Sequence, residues 1–437
     1  MTDSSHLNRR ELIGRGIICG LAAAPQITPL AVRKARAAGP RPLVLRARPE
    51  LLEAVPGLSK TAVFRLAAEG DQPLVFRRGD ALKLEFHNDL PTPASLDWLG
   101  LSGFSSARPP VAPGGAETTD FVLDQPGTYF CRLIASEEAT RGLPLIVNDE
   151  PALERDRDQV MQIEEWRIRS DGRAVPPGAD FGDAARAFTI NGAHMAEVPI
   201  RANERVKFRF INSSQHSVIA IKIENHEVWI VAIDSRPAEP FPAHNSQFIL
   251  APGARVDAVI DGLPAPSTPS QILLHDGNEP RAIGRLLYGP EPPVRESALP
   301  PPGPPATSPA AQIDLARAAR FDLPLSRDGD AAPRWRPVTA APDVSAPALR
   351  VKRNRTVLLT LKNPATTAVT FRLQGHHFRL LDRLDDGWKP YWLDTLMVRP
   401  GGTERIAFAA TAAGTFRLGA ASTDWSQPPL SAWYVVE

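Results

Sequence analysis

Nine histidines and two cysteines are the residues of this 437-residue chain best able to hold a redox metal. A blue-copper centre needs a thiolate and two imidazoles converging on one ion. His376-His377 is the only adjacent pair, and neighbours on a strand point to opposite faces, so the two cannot easily grip one ion. His87, His194, His216, His226, His244 and His275 are dispersed and read as surface or hydrogen-bonded histidines. Cys131, inside Tyr129-Phe130-Cys131, reads as a small core hydrophobe. Cys19 belongs to an N-terminal segment expected to be removed, so no intramolecular disulfide is expected in the mature chain. Met161, Met195 and Met397 are isolated. The acidic pairs Glu137-Glu138, Glu164-Glu165 and Asp385-Asp386 are expected on solvated strands or loops. No Gly-x-Ser-x-Gly elbow or Walker loop occurs, and Gly14-Arg15-Gly16 has the wrong spacing for a dinucleotide site.

The elements that must position any site are plainer. Phe76-Arg77-Arg78-Gly79-Asp80 predicts a turn, and Ala81-Leu82-Lys83-Leu84-Glu85-Phe86-His87-Asn88 predicts a strand with one apolar face. Its closing Asn tolerates a turn. The design recurs without a gap at 200–212, with Asn203 as turn residue and Asn212 last. It recurs again at 351–363, with Asn354 and Asn363. A second unit recurs with it. Pro113-Gly114 leads to Gly127-Thr128-Tyr129-Phe130, and Pro400-Gly401 leads at the same spacing to Gly414-Thr415-Phe416-Arg417. Pro252-Gly253 opens a shorter version. The chain therefore reads as three copies of one β-domain.

Length suggests about three domains of roughly 150 residues. Forty-five prolines and a strand-like, helix-poor pattern point to an all-β fold. A net charge of +1 without a basic patch argues against a nucleic-acid partner. Residues 1–37 read as a twin-arginine signal peptide around Asn8-Arg9-Arg10-Glu11-Leu12. The run that follows is too short and too broken by Pro25 and Pro29 to span a bilayer. Cleavage is expected near Ala37, with a periplasmic mature protein. The domains are expected at 40–150, 158–290 and 310–437, with a semi-rigid proline-rich linker at 291–309.

Asn88-Asp89-Leu90-Pro91 before Ser95-Leu96-Asp97-Trp98-Leu99-Gly100, then Gly127-Thr128-Tyr129-Phe130, Phe188-Thr189-Ile190-Asn191-Gly192, Asp394-Thr395 and Gly414-Thr415-Phe416 resemble the framework of the multicopper oxidases. The resemblance covers nearly the whole mature chain in order. It implies three cupredoxin-like Greek-key β-sandwiches. It also implies where copper ligands would stand, and here the chain departs from the family. The first His-x-His falls on Asp97 and Leu99, the second on Arg132 and Ile134, and the third run on Val369, Arg372 and Gln374. The fourth falls on Gly419-Ala420-Ala421, and the later electron-accepting-site positions on Trp425 and about Leu430. None carries histidine or cysteine.

Aliphatic side chains offer no lone pair, and arginine stays protonated. The expectation is thus a cupredoxin scaffold with no copper cofactor. Asp97 and Arg372 are expected to pair across the first and third domains, with Arg132 and Gln374 filling the vestigial copper position. The pattern is similar to copper-free, twin-arginine-exported members of the family. That similarity implies a non-enzymatic scaffold or binding role with an envelope or periplasmic protein partner, possible in cell division. The alternative is a multicopper oxidase, binding copper through atypical ligands. A third option is a small-molecule binder using the emptied cavity.

Overall fold

The computed structural model describes residues 39–437 apart from 72, 106, 137, 149–152, 264–268, 306–311, 327–334, 382–386 and 388. The expected signal peptide with its Ala37 cleavage point, Glu137 and the Asp385-Asp386 pair lie outside the described residues.

Each repeated stretch becomes a central strand for the reason its pattern gives. The turn residues Gly79, Asn203 and Asn354 have φ of 89°, 56° and 63°. Glycine and asparagine enter this left-handed region at least cost. The strands that follow are Ala81–Asn88, Arg205–Asn212 and Thr356–Lys362. Each lies parallel to an earlier strand: Arg41–Leu52, Arg157–Ile168 and Ala319–Pro324. Each lies antiparallel to the strand after the Pro-Gly turn: Ala116–Val122, Arg255–Asp261 and Thr403–Ala409. A second sheet covers this one in every copy. In the first, Gly127–Ala135 runs between Ala94–Leu99 and Leu143–Asn148. In the third, Gly414–Ser422 runs between Val369–Leu373 and Leu430–Val436. Three separate apolar cores fill the three sandwiches. Among the described residues the only helical segments are 3-10 turns of three residues each.

The closing asparagines do more than tolerate a turn. The Asn88 amide donates to the carbonyls of Thr92 and Val111 at 2.9 and 2.8 Å, and its oxygen accepts the Leu90 N–H. Asn212 donates to Ser217 and Leu250 at 2.8 and 3.0 Å and accepts Ser214 N–H. Asn363 donates to Thr367 and Val398 at 2.9 and 3.1 Å and accepts Ala365 N–H. All three are buried. Each clasps the loop after its strand to the residue before or near the Pro-Gly turn. Only a side chain with donor and acceptor on one short stem can close both halves of that clasp.

The alternation is clean in the first copy, where Leu82, Leu84 and Phe86 are buried and Lys83 and Glu85 are exposed. In the second copy both faces are covered. Lys207 pairs with Asp257 at 2.8 Å, and Arg209 pairs with Asp158 at 2.6 Å while donating to Thr128 of the first domain at 2.8 Å. The polar face there abuts a neighbouring domain instead of water. The proline-rich segment is held to the second domain: Arg295 donates to Asp156 at 2.5 Å, and Arg205 donates to the Leu299 carbonyl at 3.1 Å.

Replacing Asn88, Asn212 or Asn363 by Ala strands buried carbonyls. Each variant is expected to lose about 2 kcal/mol or more of stability, read as a lower unfolding midpoint. Lys83→Ala, on the exposed face, is expected to stay within about 0.5 kcal/mol.

Candidate functional site: a buried ionic seam

The strand Ala94–Leu99 sets Asp97 directly across from Arg132 on Gly127–Ala135. Arg132 Nε donates to Asp97 Oδ2 at 3.0 Å, and Arg132 Nη2 contacts the same oxygen. The third domain supplies the rest. Gln374 Nε2 donates to Asp97 Oδ1 at 3.2 Å, and Arg417 Nη1 stands 3.5 Å from that oxygen. Gln374 Oε1 accepts the Arg417 backbone N–H at 3.2 Å. Asp97 is 2 % exposed. Burial alone would raise its pKa, but Arg132, Arg417 and Arg372 outweigh it and hold the carboxyl at about 2.

Arg372 lies beside this cluster but does not pair with Asp97. Its Nε and Nη2 donate to the Pro252 carbonyl of the second domain at 3.3 and 3.1 Å. The expected Asp97–Arg372 pair is therefore replaced. Arg132 is the cross-strand neighbour of Asp97, and Gln374, two residues beyond Arg372, reaches the remaining oxygen. Asp97, Arg132 and Gln374 come together as one hydrogen-bonded group, and Arg372 ties the third domain to the second instead. Arg417 was not anticipated. Its signal lay in the repeat, where Gly414-Thr415-Phe416 is followed by arginine and Gly127-Thr128-Tyr129 by Phe130.

A second buried ionic group joins the second and third domains. Arg255 grips Asp394 through Nη1 and Nη2 at 2.9 and 2.5 Å. Asp234 accepts backbone N–H bonds from Arg255, Asp394 and Thr395, each at 3.1 Å. Burial and the neighbouring Asp394 carboxylate push Asp234 up to about 7, against the pull of Arg255 and these donors. Glycine is required where the first domain meets this turn, because a Cβ on Gly127 would lie 2.3 Å from the Ser235 carbonyl oxygen. Sequence reasoning placed Asp394 in the framework but had no sign of Arg255 or Asp234. Isolated charged residues on a strand reveal a partner only when the domains are docked.

The histidines take ordinary roles. His87, His194, His244 and His275 are at or near the surface. His376 and His377 do point apart: His376 Nδ1 donates to the Tyr434 hydroxyl at 2.8 Å within the third core, and His377 Nε2 donates to the Asp234 carbonyl at 2.8 Å. His226 bonds the Glu224 carbonyl and the Tyr288 hydroxyl at 2.7 and 2.8 Å. His216 Nδ1 donates to the Ser422 carbonyl at 2.6 Å. Burial lowers His216 and His376 to about 4 and His377 to about 3, so all three are neutral near pH 7. Cys131 is a buried free thiol. Glu164 and Glu165 correct an expectation, because both are buried, not solvated. Glu164 accepts from Thr189 Oγ1 at 2.6 Å and Gly192 N–H at 2.7 Å, and Arg186 sits 3.1 Å from Glu165. Each lies against an arginine, Glu164 against Arg141 and Glu165 against Arg186.

The family fold implies copper, and the seam offers a poor donor set for it. Guanidiniums of Arg132, Arg372 and Arg417 present only N–H groups, and they repel a cupric ion. Asp97 is already engaged by three side chains. Trp425, at an electron-accepting-site position, packs against His216 and donates to the Pro176 carbonyl at 3.2 Å. Among the described residues no three His, Cys, Asp or Glu side chains are grouped to hold a metal ion. These residues do not fit the group.

Asp97→Ala leaves Arg132 and Arg417 buried without their anion and is expected to cost about 3–5 kcal/mol. The Asp97 carboxyl is depressed on folding, from 3.8 to about 2. Its contribution is therefore complete above about pH 4 and is lost as pH falls toward 2, amounting to about 2 kcal/mol. Thermal unfolding from pH 5 to pH 2 is expected to be less steep in Asp97→Asn than in the parent.

Comparison with known proteins gives the seam its family setting. Two profiles described as multicopper oxidase match residues 164–268 and 320–420. Laccase-1 of Cryptococcus neoformans is 28% identical over 225 residues, covering 42% of this chain and 36% of that protein. The chain thus spans little more than a third of that laccase's length. Multicopper oxidase MmcO of Mycobacterium tuberculosis is 22% identical over 402 residues, 77% of this chain and 76% of that protein. The crystal structure of a multi-copper oxidase from Pseudomonas thermotolerans covers 92% of this chain and 100% of its own, with a TM-score of 0.74 at 22% identity. McoA from Aquifex aeolicus superposes with a TM-score of 0.70 over 91% of this chain and 96% of its own, at 18% identity. The chain thus matches multicopper oxidase profiles in its second and third domains and shares the three-cupredoxin fold of that family's solved structures.

Proposed function

We propose that this chain is a copper-free member of the family, acting as a non-enzymatic scaffold or binding protein in the periplasm. The observation that carries the reading is the Asp97–Arg132–Gln374–Arg417 cluster. A carboxylate neutralised by guanidiniums fastens the first domain to the third, at the position where the family resemblance would put metal ligands. Such a site resists cupric ions by charge and by lack of lone pairs. Export by the twin-arginine route and an envelope or division partner rest on the N-terminal motif and the family likeness.

A second reading is oxidase activity, supported by relatives that carry the names laccase and multicopper oxidase. It requires copper held by ligands other than those at the seam. A small-molecule role for the seam is disfavoured by size, because its cavity is only about 20 Å³. A roomier cavity of about 250 Å³ lies elsewhere, between the first two domains and the proline-rich segment, and Lys207 and Arg209 at its wall are paired with Asp257.

Protein produced with copper in excess is expected to carry less than a tenth of an equivalent of copper by elemental analysis, as an order-of-magnitude bound set by the missing donors. No blue-copper absorbance and no turnover of phenols are expected. Stoichiometric copper with phenol oxidation would establish the oxidase reading instead.

A further inference from the structure

Three guanidiniums converge on the small cavity at the seam: Arg132, Arg372 and Arg417. Two carboxylates share its wall, Asp97 and Asp394. Asp394 is committed to Arg255, which holds it through two hydrogen bonds. That leaves Asp97 as the one anion facing three cations. The groups are 5–7 % exposed for the arginines and 2 % for Asp97. Buried charge without a counter-charge is costly, so an excess of this size calls for a further anion.

The donors are also unspent. Arg132 Nη1 and Arg417 Nε are buried with no hydrogen-bond acceptor, and Arg417 Nη1 has only its 3.5 Å ion-pair contact to Asp97. Arg372 uses Nε and Nη2 on one carbonyl oxygen, that of Pro252. The cavity itself measures about 20 Å³, and about 10–15 Å³ is enough to hold one water-sized particle. A space this small favours a monoatomic anion over a phosphate or an organic acid. We propose that the seam binds a single halide-sized monoanion, held by Arg132, Arg372 and Arg417, as a structural counter-ion linking the first and third domains. This inference rests on the reading of the seam as copper-free. It extends that reading by naming what occupies the place.

The test is thermal unfolding of the full chain over a series of sodium chloride and sodium gluconate concentrations at matched ionic strength, where screening is equal, gluconate is too large for the cavity, and saturation separates binding from a general salt effect. Chloride is expected to raise Tm saturably, by about 2 °C or more over gluconate. Arg372→Gln is expected to abolish that difference while keeping the Asp97 bonds. Because the variant can fail to fold, crystals of the parent soaked in bromide supply a second readout, an anomalous peak between the three guanidiniums. Coincident chloride and gluconate curves with no bromide peak, meaning water alone in the cavity, would overturn the proposal. Elemental analysis of the same samples separates the two readings. Copper at the seam sinks both, whereas no copper and no halide effect sinks the anion alone.

Discussion

The centre of this molecule depends on one interaction: a carboxylate taken out of water and held charged by guanidiniums of opposite sign. Asp97 is almost completely buried, and its carboxylate survives there because Arg132 and Arg417 lie against it. Desolvation works against the charged form and the guanidiniums work for it. The guanidiniums win, as the depressed pKa of about 2 records. Pairs of this kind add little net stability over a well-packed apolar seam. What they supply is geometry, since a carboxylate has to meet its guanidinium at hydrogen-bonding distance or not at all.

The same logic is repeated around the three domains. Arg255 and Asp394 join the second domain to the third, and Arg372 joins the third to the second through the Pro252 carbonyl. Arg209, with Thr128 and Asp257, joins the second to the first. Glycine makes the close approach possible where Gly127 lies against Ser235. Each interface therefore has an ionic or polar group at its heart with apolar sandwiches outside it. Removal of one partner acts on two domains at once.

Much of the architecture was legible because it follows from short-range rules. A positive-φ residue at Gly79, Asn203 and Asn354, period-two alternation and a closing Asn are local features, and repetition made them unmistakable. The asparagine clasps themselves were not legible, since their acceptors lie up to 38 residues away. Within the seam, Asp97, Arg132 and Gln374 were found together because the family framework put them at related positions. Their pairing was misassigned to Arg372 because alignment gives neighbourhood and not side-chain direction. Glu164 and Glu165 were misread for a similar reason. Two adjacent acids look solvated until the sheet that covers them, and the arginines within it, are in place. Arg255, Asp234 and Arg417 depend wholly on domain docking, which no stretch of sequence displays.

The central claim is that guanidinium–carboxylate pairing holds the place that the family gives to metal. Diffraction at the copper absorption edge, from crystals grown with excess cupric ion, tests it most directly. The account predicts no anomalous signal at the seam and Asp97 still bonded to Arg132 and Gln374. A copper peak within bonding reach of Asp97, with Arg132 or Arg417 swung away, would contradict it.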